Sequence, residues 1–168
     1  MRLFFALWPD GEIVREFEAV SNLSKLEGGA RRVPAGNFHL TLAFIGEVSD
    51  QKLAVLQQIG QSVRVSRFTV VCDCLEYWPQ PRAIVTTVRN APAALLALSA
   101  RLQEAVDLPQ TPLRAHVTLA RKVVQAPVLP AMSPIYWRVT QFSLIRSQTS
   151  GAASAYTVVD TWPLLYEA

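Results

Sequence analysis

Apolar positions along this chain switch between two periods, and the switches mark its elements. Leu3-Phe4-Phe5-Ala6-Leu7-Trp8 is a short apolar run that reads as a buried strand, closed by Pro9-Asp10-Gly11. Ile13, Phe17, Val20 and Leu23 then recur at helical spacing, so residues 11–26 predict an amphipathic helix ended by Glu27-Gly28-Gly29. Asp10 is placed to cap it, and Glu12 suits its first turn. The period falls to two over Phe38–Ile45, where Phe38, Leu40, Leu42 and Phe44 predict a core face and His39, Thr41 and Ala43 a different one. Gly46 ends this strand. Ser49 or Asp50 opens a helix through about Val63, with Leu53, Leu56 and Val63 inward.

Arg67–Trp78 and Arg82–Val88 are rich in β-formers and flank a turn at Pro79-Gln80-Pro81. Asn90 as cap and Pro92 in the first turn predict a helix over 91–106, its buried stripe Leu95, Leu98, Leu102 and Val106. Arg114–Arg121 is a further strand. Residues 127–134 form a proline-rich loop. Ile135–Arg146 and Ala155–Trp162 are the last strands, around a turn at Thr149-Ser150-Gly151.

Strand Leu3–Trp8, helix 11–26 and strand Phe38–Ile45 match strand Ala83–Val88, helix 91–106 and strand Ala115–Arg121 in order. The two histidines stand 77 residues apart at the same place in each unit, and Phe68 and Phe142 follow them by 29 and 26 residues. This weak internal duplication predicts a bilobal α+β fold for residues 1–168. Two antiparallel sheets with outer helices would face a shared central cleft about a pseudo-two-fold axis, as one domain.

Composition narrows the class. Of 168 residues, 51% are hydrophobic and 17% charged, which is the balance of a globular chain rather than a disordered one. No apolar run approaches the roughly 18 residues that span a bilayer. The N-terminal run is too short for a signal peptide and lacks a small-residue cleavage site. The expectation is a soluble, cytoplasmic protein without a membrane partner, acting as a monomer. The net charge of +3 is too small for a protein coated in nucleic acid, yet suits an enzyme acting on one nucleic-acid end. Its cations are mostly arginines, whose planar fork fits phosphate, although surface solvation explains them equally well. Cys72 and Cys74 would share a strand face about 6.6 Å apart, a poor disulfide geometry. They read as packed thiols.

The chemistry lies in two segments, His39-Leu40-Thr41-Leu42-Ala43 and His116-Val117-Thr118-Leu119-Ala120. Threonine makes up 10 of 168 residues, so both histidines meeting a Thr two places on is a chance on the order of one in 300. His and Thr at that spacing share one strand face. Packed core histidines are one alternative. A zinc site is another, but zinc takes three or four protein ligands and no third His or well-placed Cys or carboxylate stands beside either segment. Two facing His-x-Thr pairs can instead deprotonate an attacking oxygen and protonate a leaving one. The hydroxyls would hold a phosphoryl group between them, with no metal, cofactor or covalent intermediate.

These segments resemble the 2H phosphoesterase superfamily. With Arg2-Leu-Phe-Phe-Ala-Leu7, Phe38–Gly46, Ala115–Arg121 and Tyr156–Leu164, the chain is similar to its RNA 2′,3′-cyclic phosphodiesterases, also called 2′-5′ RNA ligases. The resemblance implies opening of the 2′,3′-cyclic phosphate end of an RNA or oligonucleotide to a 2′-phosphomonoester. His39 would give a proton to the departing 3′ oxygen, His116 would activate water, and Thr41 and Thr118 would hold the phosphate. It further implies substrate contact at Leu42, Leu119, Arg121, Arg32, Ser147 and Tyr156. Strand parity, however, sets Arg121 with Val117 and Leu119, away from His116, and Arg31 and Arg32 lie in a loop that solvent would equally suit. A phosphodiesterase for another small cyclic phosphate, or a non-catalytic module that binds RNA ends, are the competing readings.

Overall fold

The computed structural model describes residues 1–150 and 153–166. Ten strands and three helices follow one another as β1 (Arg2–Leu7), α1 (Gly11–Leu23), β2 (Arg31–Arg32), β3 (Leu40–Glu47), α2 (Asp50–Ser62), β4 (Phe68–Cys72), β5 (Cys74–Trp78), β6 (Ala83–Thr87), α3 (Ala93–Ala105), β7 (His116–Arg121), β8 (Ile135–Val139), β9 (Gln141–Ser150) and β10 (Ala153–Pro163). Two four-stranded sheets run in the orders β10-β9-β1-β3 and β2-β7-β6-β5, and β4 pairs with β8 as a separate ribbon. Their pairings are antiparallel. The molecule is thus α+β, as the periodicity predicts. None of its described helices is long and apolar enough to cross a membrane.

Both sheets bury their inner faces in one continuous core. It takes Leu3, Phe5 and Leu7 from β1, Leu40 from β3, Val117 from β7 and Phe142 from β9, together with the α3 stripe Leu95, Leu98 and Leu102. Helix α1 forms where its spacing predicts: Asp10 caps it through the Ile13 N–H, and Ile13, Phe17 and Val20 are buried, whereas Leu23, the last position of the expected stripe, is exposed at the helix end. It ends at Leu23 rather than 26, because Ser24 turns to extended backbone and the Arg32 guanidinium donates to the carbonyls of Ser21 and Ser24. Helix α3 begins at Ala93, with Pro92 rather than Asn90 at its cap. Proline disfavours helical backbone at the residue before it, which holds Ala91 outside.

The two long strands read from the sequence each divide in two. At Asp73 the chain leaves β8, its partner in the ribbon, and joins β6; at Thr140 it leaves β4 and joins β1. Phe68 and Phe142 therefore do not occupy equivalent places. Phe68 lies in the β4–β8 ribbon and Phe142 in the first sheet. Cys72 is buried and Cys74 half-buried, on either side of this break, and burial pushes the Cys72 thiol up to about 12, with Asp73 adding to the effect. The turn expected at Thr149-Ser150-Gly151 lies partly outside the described residues.

Among the described glycines Gly60, on α2, has the least room for a side chain. A Cβ at Gly60 would sit 2.5 Å from the Trp162 ring. That ring cannot retreat, because Phe5 and Phe142 pack against it with centroids at 6.0 and 5.4 Å. Gly60→Ala gains up to about 1 kcal/mol of helix propensity but overpacks a filled site, which costs about 1–3 kcal/mol. The expected outcome of a urea titration is a lowered midpoint with unchanged slope. A raised midpoint would mean that the indole has room to move.

Candidate active site

Both histidine strands carry a β-bulge at the same place in their motif. Against β1, Phe5 pairs with Ala43 and Ala6 with Thr41, so Leu42 is the extra residue. Against β6, Ile84 pairs with Ala120 and Val85 with Thr118, so Leu119 is the extra residue. A bulged residue leaves the ladder, and its buried carbonyl needs another donor. Ser99 of α3 donates to the Leu42 carbonyl at 2.7 Å. Ser21 of α1 donates to the Leu119 carbonyl at 3.4 Å, and the Val33 N–H joins it at 2.8 Å. Each serine thus reaches the strand of the opposite sheet.

This arrangement corrects two expectations. Leu42 and Leu119 are 2% and 1% exposed, so their side chains belong to the core, and their carbonyls are already engaged. The bulges also reverse strand parity beyond them. Phe44, expected in the core, is 51% exposed, with the Arg2 guanidinium 5.4 Å from its ring centre. Arg121, which strand parity alone would set away from His116 and the resemblance places at the substrate, lines a cavity of about 250 Å³ together with His39, Thr118 and Tyr156.

The two imidazoles are held alike. His39 Nδ1 donates to the Asn37 carbonyl at 2.7 Å, and His116 Nδ1 donates to the Arg114 carbonyl at 2.5 Å. A carbonyl can only accept, so each ring keeps its proton on Nδ1 and leaves Nε2 free for chemistry. Trp8 stacks on His39, with centroids 5.1 Å apart and planes at 4°, while Tyr156 meets it edge-on at 5.2 Å and Phe4 packs at 5.1 Å. This enclosure strips water from the ring and pushes its pKa down to about 4, with Arg121 and His116 adding repulsion against the Asn37 hydrogen bond.

His116 pairs across the strands with Thr87 and packs against Trp78 at 4.4 Å. Burial lowers its pKa as well. Arg114 and Arg121 act in the same direction, and the Arg114 carbonyl and the Glu76 carboxylate oppose them. Arg121 therefore acts on both rings, and His116 on His39, although His116 itself is not among the residues that line the cavity.

The remaining site residues divide. Thr118 lines the cavity, and Thr41 is half-buried on β3 outside that lining. Arg32 forms part of the wall, but its guanidinium is turned to the end of α1, so it is a structural cap rather than a free phosphate clamp. Arg31 and Lys122, both exposed, stand on the same rim. Ser147 pairs with Arg2 and Tyr156 in the first sheet and does not line the cavity. Trp8, Trp78, Asn37 and Lys122 were not anticipated at the site. For Trp8 a signal existed: Phe4, Ala6 and Trp8 alternate with Leu3, Phe5 and Leu7, and that second face packs against Ile145 and Tyr156 beside His39.

Two imidazoles fixed at Nδ1, with an arginine and a threonine between two bulged strands, define a site for acid–base work on a phosphate. Comparison with known proteins agrees with that class. The model of the 2′-5′ RNA ligase superfamily matches residues 7–151. An RNA 2′,3′-cyclic phosphodiesterase of Escherichia coli (strain K12) is 30% identical over 169 residues, covering 97% of this chain and 96% of that protein. One from Thermus thermophilus is 29% identical over 181 residues, covering 98% and 90%. The crystal structure of Escherichia coli LigT complexed with 3′-AMP superposes with a TM-score of 0.85 at 30% identity, over 97% of each chain. The chain belongs to the 2′-5′ RNA ligase superfamily.

Proposed function

We propose that this protein hydrolyses RNA 2′,3′-cyclic phosphates to 2′-phosphomonoesters, with His39 and His116 as its acid and base. The observation that carries this reading is the matched pair of rings, each held at Nδ1 by the carbonyl two residues before it, beside one arginine that acts on both. His116 Nε2 takes a proton from water, whose oxygen attacks phosphorus. The bond from phosphorus to the 3′ oxygen breaks, and His39 Nε2–H protonates that oxygen. The product keeps its phosphate on the 2′ oxygen, and the proton gained by His116 returns to His39 through solvent.

In the free protein His39 is neutral at pH 7, so it takes up its proton with the substrate, whose negative charge favours the imidazolium. Arg121 and the Thr118 hydroxyl are placed to stabilise the non-bridging oxygens as charge grows there, with Thr41 assisting from β3. Tyr156, beside His39, offers a face to the terminal base. With an RNA 5′-hydroxyl in place of water the same displacement joins 2′-5′ ends without ATP, and its reverse cleaves them. The reading takes the protein as a cytoplasmic monomer that needs no metal, its two four-stranded sheets being lobes of one duplicated unit.

Incubation with all four nucleoside 2′,3′-cyclic phosphates in excess chelator tests it. The expected result is unimpaired turnover, with the 2′-phosphate as product by chromatography. A 3′-phosphate product, or binding without turnover, overturns the reading.

A further inference from the structure

One carboxylate at the site has no part in the steps above. Glu76 lies on β5, two strands from His116, and its two oxygens accept from two different neighbours. Oε2 accepts from the Trp78 indole N–H at 2.7 Å, and Oε1 from the Thr87 hydroxyl at 2.9 Å. Thr87 is the residue directly across from His116 on β6, and the Trp78 ring lies 4.4 Å from the His116 ring. The far side of this assembly is also held, because the Arg114 guanidinium sits 4.0 Å from the Trp78 ring centre while the Arg114 carbonyl receives the His116 N–H. Among the described residues Glu76 has no ion-pair partner. Its charge is met by neutral donors alone and stays available to the imidazole.

We infer that Glu76 is a positioning residue for His116, fixing the ring through Trp78 and Thr87 and stabilising the imidazolium that forms when this histidine takes its proton. The inference rests on the reaction proposed above and assigns a cause to the difference between the two rings. His39 is enclosed by Phe4, Trp8 and Tyr156, and no carboxylate acts on it. His116 faces Arg114 and Arg121 as repelling charges, and Glu76 as the one anion. A general base is most effective when its conjugate acid titrates near the working pH. Burial first, then Arg114 and Arg121, lower the His116 pKa, and Glu76 is the one side chain that opposes them.

Glu76→Gln keeps the shape and removes the charge, and its test has two readouts. The chain contains two histidines, so their ring protons give two resolvable titrations by nuclear magnetic resonance, assigned with a His39→Ala variant. In Glu76→Gln the His116 midpoint moves to lower pH and the His39 midpoint stays, and kcat falls about tenfold or more with KM little changed. Glu76→Asp, which restores the charge on a shorter stem, recovers the midpoint at least in part. If the His116 midpoint does not move, the inference is overturned, even where kcat falls, since a structural role alone would produce that. The titration needs no substrate, so it remains decisive if the proposed reaction itself fails.

Discussion

His39→Ala and His116→Ala each lower turnover of a nucleoside 2′,3′-cyclic phosphate by about 10²–10⁴-fold, the usual worth of one general acid or base. Neither change threatens the fold, because both rings stand at the half-buried rim of their strands and the core residues beside them are untouched. Unaltered far-ultraviolet circular dichroism with lost turnover is the expected combination. The double variant should lose little beyond the worse single one, since groups that act in one step are not additive. Full activity in either single variant would remove the acid–base pair as the source of catalysis.

The same His39 variant carries a stability signature. The folded ring titrates at about 4 against 6.5 for an exposed one, so between those values the unfolded chain binds more protons than the native one. Stability contributed by the neutral ring is therefore complete above pH 6.5 and declines as the pH falls toward 4. Urea midpoints of the parent should drop across that window, and His39→Ala should flatten the drop.

Phe5→Ala is the change expected to damage the fold most. Phe5 is 0% exposed at the centre of β1, the strand that joins β3 to β9. Its ring meets Phe142 at 6.2 Å and Trp162 at 6.0 Å, so truncation leaves an aromatic-lined hole between two rigid neighbours. Losses for Phe→Ala in such places run about 3–5 kcal/mol, a large part of the roughly 5–15 kcal/mol that holds a domain folded. A shift in denaturation midpoint equivalent to less than 1 kcal/mol would mean that the surrounding strands collapse into the space.

Much of this was legible along the chain. The repeated His-x-Thr-Leu-Ala frame, the Asp10 cap and the stripe of α1, and the period-two face opened by Leu40 are local patterns, and they persist in the fold. The bulges were not legible. Leu42-Ala43 and Leu119-Ala120 are apolar pairs that suit an unbroken strand equally well, and only the serines arriving from α1 and α3 reveal where the ladder skips. The core position expected for Phe44, and the strand parity that set Arg121 away from His116, both fail through that one omission. The Glu76–Trp78–Thr87 assembly depends on the order β7-β6-β5, which no spacing in the chain encodes. The capping role of Arg32 likewise appears only when β2 is laid beside the end of α1.

Ser21 and Ser99 each tie a helix from one half of the chain to the histidine strand of the other. Two short hydroxyl struts, crossed in this way, act as the diagonals of a truss. Pulling the walls apart would strip both carbonyls of their serine donors at once, so the spacing of the imidazoles is set by the frame and does not wait for a guest. Adjustment to different RNA termini then falls to the long cationic side chains at the mouth, Arg31 and Lys122, which can swing without disturbing the geometry beneath them.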